Sequence, residues 1–124
     1  MKTILITGAG SGIGAAAAHS LAEEGNNRLI LVGRNEEKLN EVLVKLPHSE
    51  NHCVLAADVR NASAFREGLK NILGDGSLEC VFANAGIGGE NAYGVEDRWD
   101  EIISINLTGT YITVMECLPF LRKS

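Results

Sequence analysis

Four short apolar runs punctuate the chain: "TILIT" (3–7), "RLILV" (28–32), "HCVLAA" (52–57) and "ECVFA" (79–83). They are continuously apolar, not alternating, the pattern of strands covered on both faces. Helix-length segments separate them, and strands joined by helices form βαβ units around a parallel sheet. A length of 124 residues suits one domain, spanning 1–124.

The intervening segments carry helical periodicity. The first helix starts in a glycine-rich loop and runs to about Glu24, with Ile13, Ala17 and Leu21 on the expected inner face and Gly25 as its stop. His19 falls on the opposite, solvated side. A second helix, Glu36 to Leu46, turns Leu39, Val42, Leu43 and Leu46 inward; Asn35 can cap it and Pro47 ends it. A third presents Phe65, Leu69, Ile72 and Leu73 and ends at "GDGS". The last is expected from near Asp97 to about Leu118, with Trp99, Ile103, Asn106, Thr110 and Cys117 on one inward stripe.

Composition narrows the function classes. A net charge of −5 argues against sequence-independent nucleic-acid binding, which needs clustered positive charge. No apolar run approaches the roughly 20 residues of a membrane helix, and glycines interrupt the start too soon for a signal peptide. A cytoplasmic protein is therefore expected. Cys53, Cys80 and Cys117 show no CxxC spacing and fit reduced, buried thiols. His52 and Cys53 are adjacent in a strand and point to opposite faces, so no metal site is expected there.

The chemistry concentrates in "TGAGSGIG" (7–14), which leaves a strand and opens a helix. Gly8 permits a turn with positive φ. Gly12 and Gly14 allow close approach of backbone to a ligand and of helix to sheet. The N–H groups and positive dipole end at the helix start then suit a pyrophosphate. Ala15 follows Gly14 where a P-loop needs Lys, so that motif is excluded. A glycine turn serving packing alone is the other reading.

This loop resembles the TGxxxGIG motif of the short-chain dehydrogenase/reductase family. "DV" (Asp58, Val59), "NAG" (Asn84, Ala85, Gly86) and "INLTGT" (105–110) follow in that family's order and spacing, so the resemblance covers essentially the whole chain. It implies a Rossmann-type, three-layer, doubly wound parallel sheet, partial here, with four strands in order 3-2-1-4. Right-handed crossovers place the first two helices on one face and the last two on the other. The implied cofactor-binding residues are Gly8, Ser11, Gly12, Ile13, Gly14, Arg34, Asp58, Val59, Asn84, Ala85 and Gly86. Asp58 matches the carboxylate that accepts from the adenine amino group, beside Val59; a helix-capping Asp is the alternative. For 84–86 the alternative is an ordinary turn. Asn106 matches the Asn of the family's catalytic tetrad, whose backbone carbonyl holds a water; a structural polar contact is its alternative.

In NAD-binding relatives an acidic residue ends the second strand and holds the ribose 2′-hydroxyl. Here that place reads Val32-Gly33-Arg34, and a guanidinium suits a 2′-phosphate, so NADP(H) is expected over NAD(H). The family's Tyr-x-x-x-Lys pair is missing: Asp97 stands four places after Tyr93 and Met115 four after Tyr111. The resemblance therefore implies the cofactor half of an oxidoreductase, truncated before the Ser/Tyr/Lys half and inactive alone. A free-standing nucleotide-binding module and an interaction module are the alternatives. An open fourth-strand edge and a broad apolar last helix (with Ile102, Ile105 and Ile112 as a second stripe) predict a homodimer or pairing with a missing C-terminal half.

Overall fold

Strand β1 (Lys2–Thr7) runs up the middle of the sheet, hydrogen-bonded to β2 (Asn27–Gly33) on one side and β4 (Cys80–Phe82) on the other; β3 (Cys53–Ala56) flanks β2. Every pairing is parallel and the order is β3-β2-β1-β4, as expected. The computed structural model describes residues 1–10, 12–84 and 104–121. Its helices are α1 (Gly12–Glu23), α2 (Glu36–Lys45), α3 (Ala62–Leu73) and α4 (Gly109–Leu121), the last preceded by a π-helical turn at Ser104–Thr108. Among the described residues no helix is long and apolar enough to cross a membrane.

The continuous apolar runs are explained by two cores, one per face. Ile4, Ile6, Leu29 and Leu31 pack with Ala18, Ala22, Leu39 and Leu46 of α1, α2 and the segment after it. The alternate strand residues Leu5, Ile30 and Val32 pack with Phe65, Leu69, Cys117 and Phe120 of α3 and α4. Leu29, Ile30, Leu31 and Val32 are all fully buried, so β2 alone gains on the order of 10 kcal/mol from burial before chain entropy opposes it. A sheet wetted on one face would forfeit about half of that.

Local chemistry sets the ends. Asn35 Oδ1 accepts the Lys38 N–H to cap α2, with Glu36 and Glu37 in its first turn, and Asn61 caps α3 through the Ala64 N–H. Asn27, buried at the start of β2, donates through Nδ2 to the Leu21 carbonyl and to Glu24. His52 bridges β2 and the turn before β3: Nδ1 accepts the Leu29 N–H at 3.0 Å and Nε2 donates to the Pro47 carbonyl at 3.1 Å. Both ring nitrogens of His52 are thus engaged by backbone.

Three expectations need correction. The buried face of α1 is Gly14, Ala18 and Ala22; of the expected residues Leu21 packs half-buried against the same core, Ala17 is partly exposed and Ile13 is 72% exposed. Small residues let α1 lie close to the sheet, so residue size misled where apolar spacing was read as the inner face. Helix α4 runs on through Pro119 to Leu121, past the expected end at Leu118. Burial of Phe120, whose carbonyl accepts the Leu78 N–H, holds the last turn against the cost of the proline. Cys80 is exposed, not buried, because among the described residues β4 pairs with β1 alone. The expected start of the last helix near Asp97, with Trp99, Ile102 and Ile103, lies outside the described residues.

Candidate functional site

The carboxyl ends of the four strands converge on one edge. At β1 the chain turns through Gly8 (φ 65°) and Gly12 (φ 59°) into α1. Gly14 then lies against the turn it has just left: a Cβ there would sit 2.2 Å from the Gly8 carbonyl oxygen and 2.9 Å from Asn84 Nδ2. Only glycine fits, and its absence of side chain brings the first turn of α1 onto the loop and onto the end of β4. No acidic residue occupies that first turn, in contrast to α2. The loop is tied laterally by the Ala9 N–H to the Val32 carbonyl, at 3.1 Å.

Thr7, buried at the end of β1, accepts the Asn84 N–H on Oγ1 at 2.9 Å. This contact, which the sequence reading missed, fixes the end of β4 beside the glycine loop. A threonine as the last strand residue before the glycines was the available signal. Gly8, Gly14 and Asn84 are thus brought together, while Ser11, Ala85 and Gly86 lie outside the described residues.

On the other side, the Ala57 N–H donates to the Gly33 carbonyl, bringing Arg34 and Asp58 to the same edge just past β2 and β3. Arg34 is exposed. Asp58 does not cap α3, a role that Asn61 fills, so the capping alternative is set aside. Its carboxylate is instead gripped by Arg60: Oδ1 accepts the backbone N–H (2.9 Å) and Nε–H (3.0 Å), and Oδ2 accepts Nε–H (3.1 Å) and Nη2–H. Those side-chain bonds, and the charges of Arg60 and Arg34, hold the Asp58 carboxyl below its usual range. Val59 turns inward, 5% exposed, into the core of Phe65 and Leu69.

Asn106 stands apart from the expectation. It is exposed, not on an inward stripe, and its carbonyl accepts the Thr110 hydroxyl at 2.9 Å. The π-helical turn at Ser104–Thr108 takes an extra residue per turn, so a 3.6-residue count carried through it into α4 loses its register. Beyond it the buried positions are Gly109, Thr113, Cys117 and Phe120. An open depression lined by Lys2, Ile4, Leu21, Glu24, Asn27, Glu79 and Cys80 lies at the opposite, amino end of the sheet, away from the edge where doubly wound sheets bind ligands.

A four-stranded doubly wound sheet with a glycine turn opening α1 at its carboxyl edge defines a Rossmann-type α/β protein. Comparison with known proteins is specific: the model of the short chain dehydrogenase family matches residues 2–124, and the chain belongs to that family, whose members bind a nicotinamide dinucleotide. It is 36% identical over 126 residues to an uncharacterized oxidoreductase of Staphylococcus epidermidis, covering 98% of this chain and 53% of that one. A 3-ketoacyl-ACP reductase from Sinorhizobium meliloti superposes with a TM-score of 0.84 at 36% identity, over 98% of this chain and 49% of its own. An NAD+-bound xylitol dehydrogenase superposes at 0.88 with 26% identity, over 98% and 48%. The chain spans about half the length of the curated relatives it matches.

Proposed function

We propose that the chain is the NADP(H)-binding portion of a cytoplasmic short chain oxidoreductase. The observation that carries this is the seat of Gly14 on the Gly8 carbonyl, which aims the first turn of α1 at the carboxyl edge. N–H groups there, without an acidic neighbour, suit the pyrophosphate. Ile13, 72% exposed beside that turn, offers an apolar surface to the dinucleotide, and Asn84 borders the same space. The adenine end falls to Asp58 and Val59, and the 2′-phosphate to the exposed Arg34, in the absence of a carboxylate at 32–34. Ser11, Ala85, Gly86 and Asn106 complete the assignment by family likeness. The xylitol dehydrogenase above carries NAD+, so the preference for NADP(H) rests on Arg34.

Bound cofactor would supply hydride transfer; the residues of this chain bind and orient it. No tyrosine here has a lysine four places on, so the isolated chain should not reduce carbonyls, positioned proton transfer being worth about 10²–10⁴ in rate. Titration of the purified chain with NADPH and NADH tests the reading. Tighter NADPH binding that is lost in Arg34→Ala is expected; equal or tighter NADH binding overturns the cofactor assignment. Robust turnover with NADPH overturns the assignment of inactivity.

Free thiols at Cys53, Cys80 and Cys117 support the reducing compartment. Exposed Tyr111, Val114 and Met115 on α4 support self-association, with the edge of β4 as the other surface. A monomer by light scattering at high micromolar concentration removes that part of the proposal.

A further inference from the structure

Among the described residues at the carboxyl edge, Arg60 grips the Asp58 carboxylate. Three N–H groups of a single residue point at one carboxylate: the backbone N–H and Nε–H at Oδ1, and Nε–H shared with Nη2–H at Oδ2. These four hydrogen bonds match the roughly four acceptor positions of a carboxylate. Both side chains are about one third exposed, so the pair is open to solvent at this edge.

The pair also changes the charge balance of the edge. Arg34 and Asp58 leave β2 and β3 at this same edge, which the Ala57 N–H to Gly33 carbonyl bond ties together, near enough for the Arg34 charge to act on the carboxylate. Were Asp58 uncompensated, its charge would oppose a phosphate bound at Arg34 and draw the guanidinium toward itself. With Arg60 on both carboxylate oxygens, Asp58 is neutralised locally and Arg34 remains the surplus cation.

We propose that Arg60 is a specificity-determining positioning residue: by pairing with Asp58 it offsets the charge of the carboxylate and leaves Arg34 for a 2′-phosphate. The proposal rests on the cofactor reading above and adds to it a residue that touches neither phosphate. It differs from a merely structural pair in predicting a change of preference between two ligands, not a uniform loss.

The test is the ratio of dissociation constants for NADPH and NADH, measured by fluorescence titration of the full chain at low and high salt. Arg60→Gln should lower the preference for NADPH by on the order of fivefold at low salt, the scale of a partly screened charge, and by less at high salt. Arg60→Lys, which keeps the charge, should retain most of it. The double variant Asp58→Asn with Arg60→Gln removes both charges and should restore the preference. An unchanged ratio in Arg60→Gln, or no restoration in the double variant, overturns the role of Arg60 while leaving the cofactor reading standing. A wild-type chain that binds neither dinucleotide overturns both. Circular dichroism of each variant, matched to wild type, separates these outcomes from misfolding; should Arg60→Gln misfold, Arg60→Ala carries the same expected loss and is overturned by the same unchanged ratio.

Discussion

Replacing Gly14 by alanine isolates the contact on which the glycine loop depends. The added Cβ would sit 2.2 Å from the Gly8 carbonyl oxygen and 2.8 Å from its carbon. An unstrained carbon–oxygen contact is about 3.4 Å, so α1 or the loop must retreat by roughly 1 Å. Asn84 Nδ2, at 2.9 Å, can swing away, but Gly8 is backbone in a turn with φ 65° and cannot. Overpacking of this kind costs typically 1–3 kcal/mol, and the gain in helix propensity from Gly to Ala returns about 1. Because the clash is with backbone on one side, the upper end applies, and a net loss of about 2 kcal/mol is expected. Urea denaturation followed by circular dichroism should then show a midpoint lower by about 1 M, for a slope near 1–3 kcal/mol/M. Gly12→Ala is the matched control: φ is 59° but nothing lies within 4 Å of the new Cβ, so the conformational cost of about 1–2 kcal/mol stands alone. NADPH affinity should fall in Gly14→Ala beyond the loss of folded protein, since the first turn of α1 is displaced. A wild-type midpoint for Gly14→Ala with unchanged NADPH binding would refute the argument that this contact seats the helix.

Other outcomes follow from the same structure. Hydrogen bonds from Arg66 (2.7 and 2.8 Å), and then its charge, hold Glu116 below the usual glutamate range, and Arg60 does the same for Asp58. Carboxyls depressed in the folded state stabilise it fully above their unfolded values, near 4, and lose that contribution as pH falls through the folded values. Stability measured against pH should therefore be level around pH 6 and fall below about 4, with a shallower acid limb in Glu116→Gln; an identical limb contradicts the pairing. Burial pushes the Cys117 thiol up to about 12 and raises Cys53, whereas Cys80 is exposed. Iodoacetamide at neutral pH should alkylate Cys80 first, and mass mapping that finds Cys117 modified as fast would count against the α4 packing. His52→Phe leaves the Leu29 N–H without its acceptor and should cost about 1–3 kcal/mol; a neutral result in denaturation would mean that water replaces the ring.

Reading along the chain recovered what short-range physics encodes. Continuous apolar runs marked the four strands, although only β1 and β2 are buried on both faces; Asn35 and Pro47 bounded α2, and glycines at 8, 12 and 14 marked the turn into α1. Each signal acts over a few residues, through steric limits on φ or through the period of a helix or strand. With family likeness added, even the strand order 3-2-1-4 was legible, because right-handed crossovers leave few alternatives.

Tertiary structure decided the rest. Which side of α1 faces the sheet depended on how close the helix can approach, and closeness favoured Gly14, Ala18 and Ala22 over the larger Ile13, with Leu21 half-buried at the margin. The exposure of Asn106 depended on one extra residue in a π-helical turn, which no 3.6-residue count contains. Arg60 on Asp58 is only two residues away in sequence, yet its meaning comes from Arg34, delivered by the register of β2 against β3. Thr7 with Asn84, and His52 with Leu29, are likewise polar pairs from segments 77 and 23 residues apart. Such pairs carry no periodicity and no turn signature. They exist because folding buries polar groups that must then find partners, and only the packed sheet determines which partners are within reach.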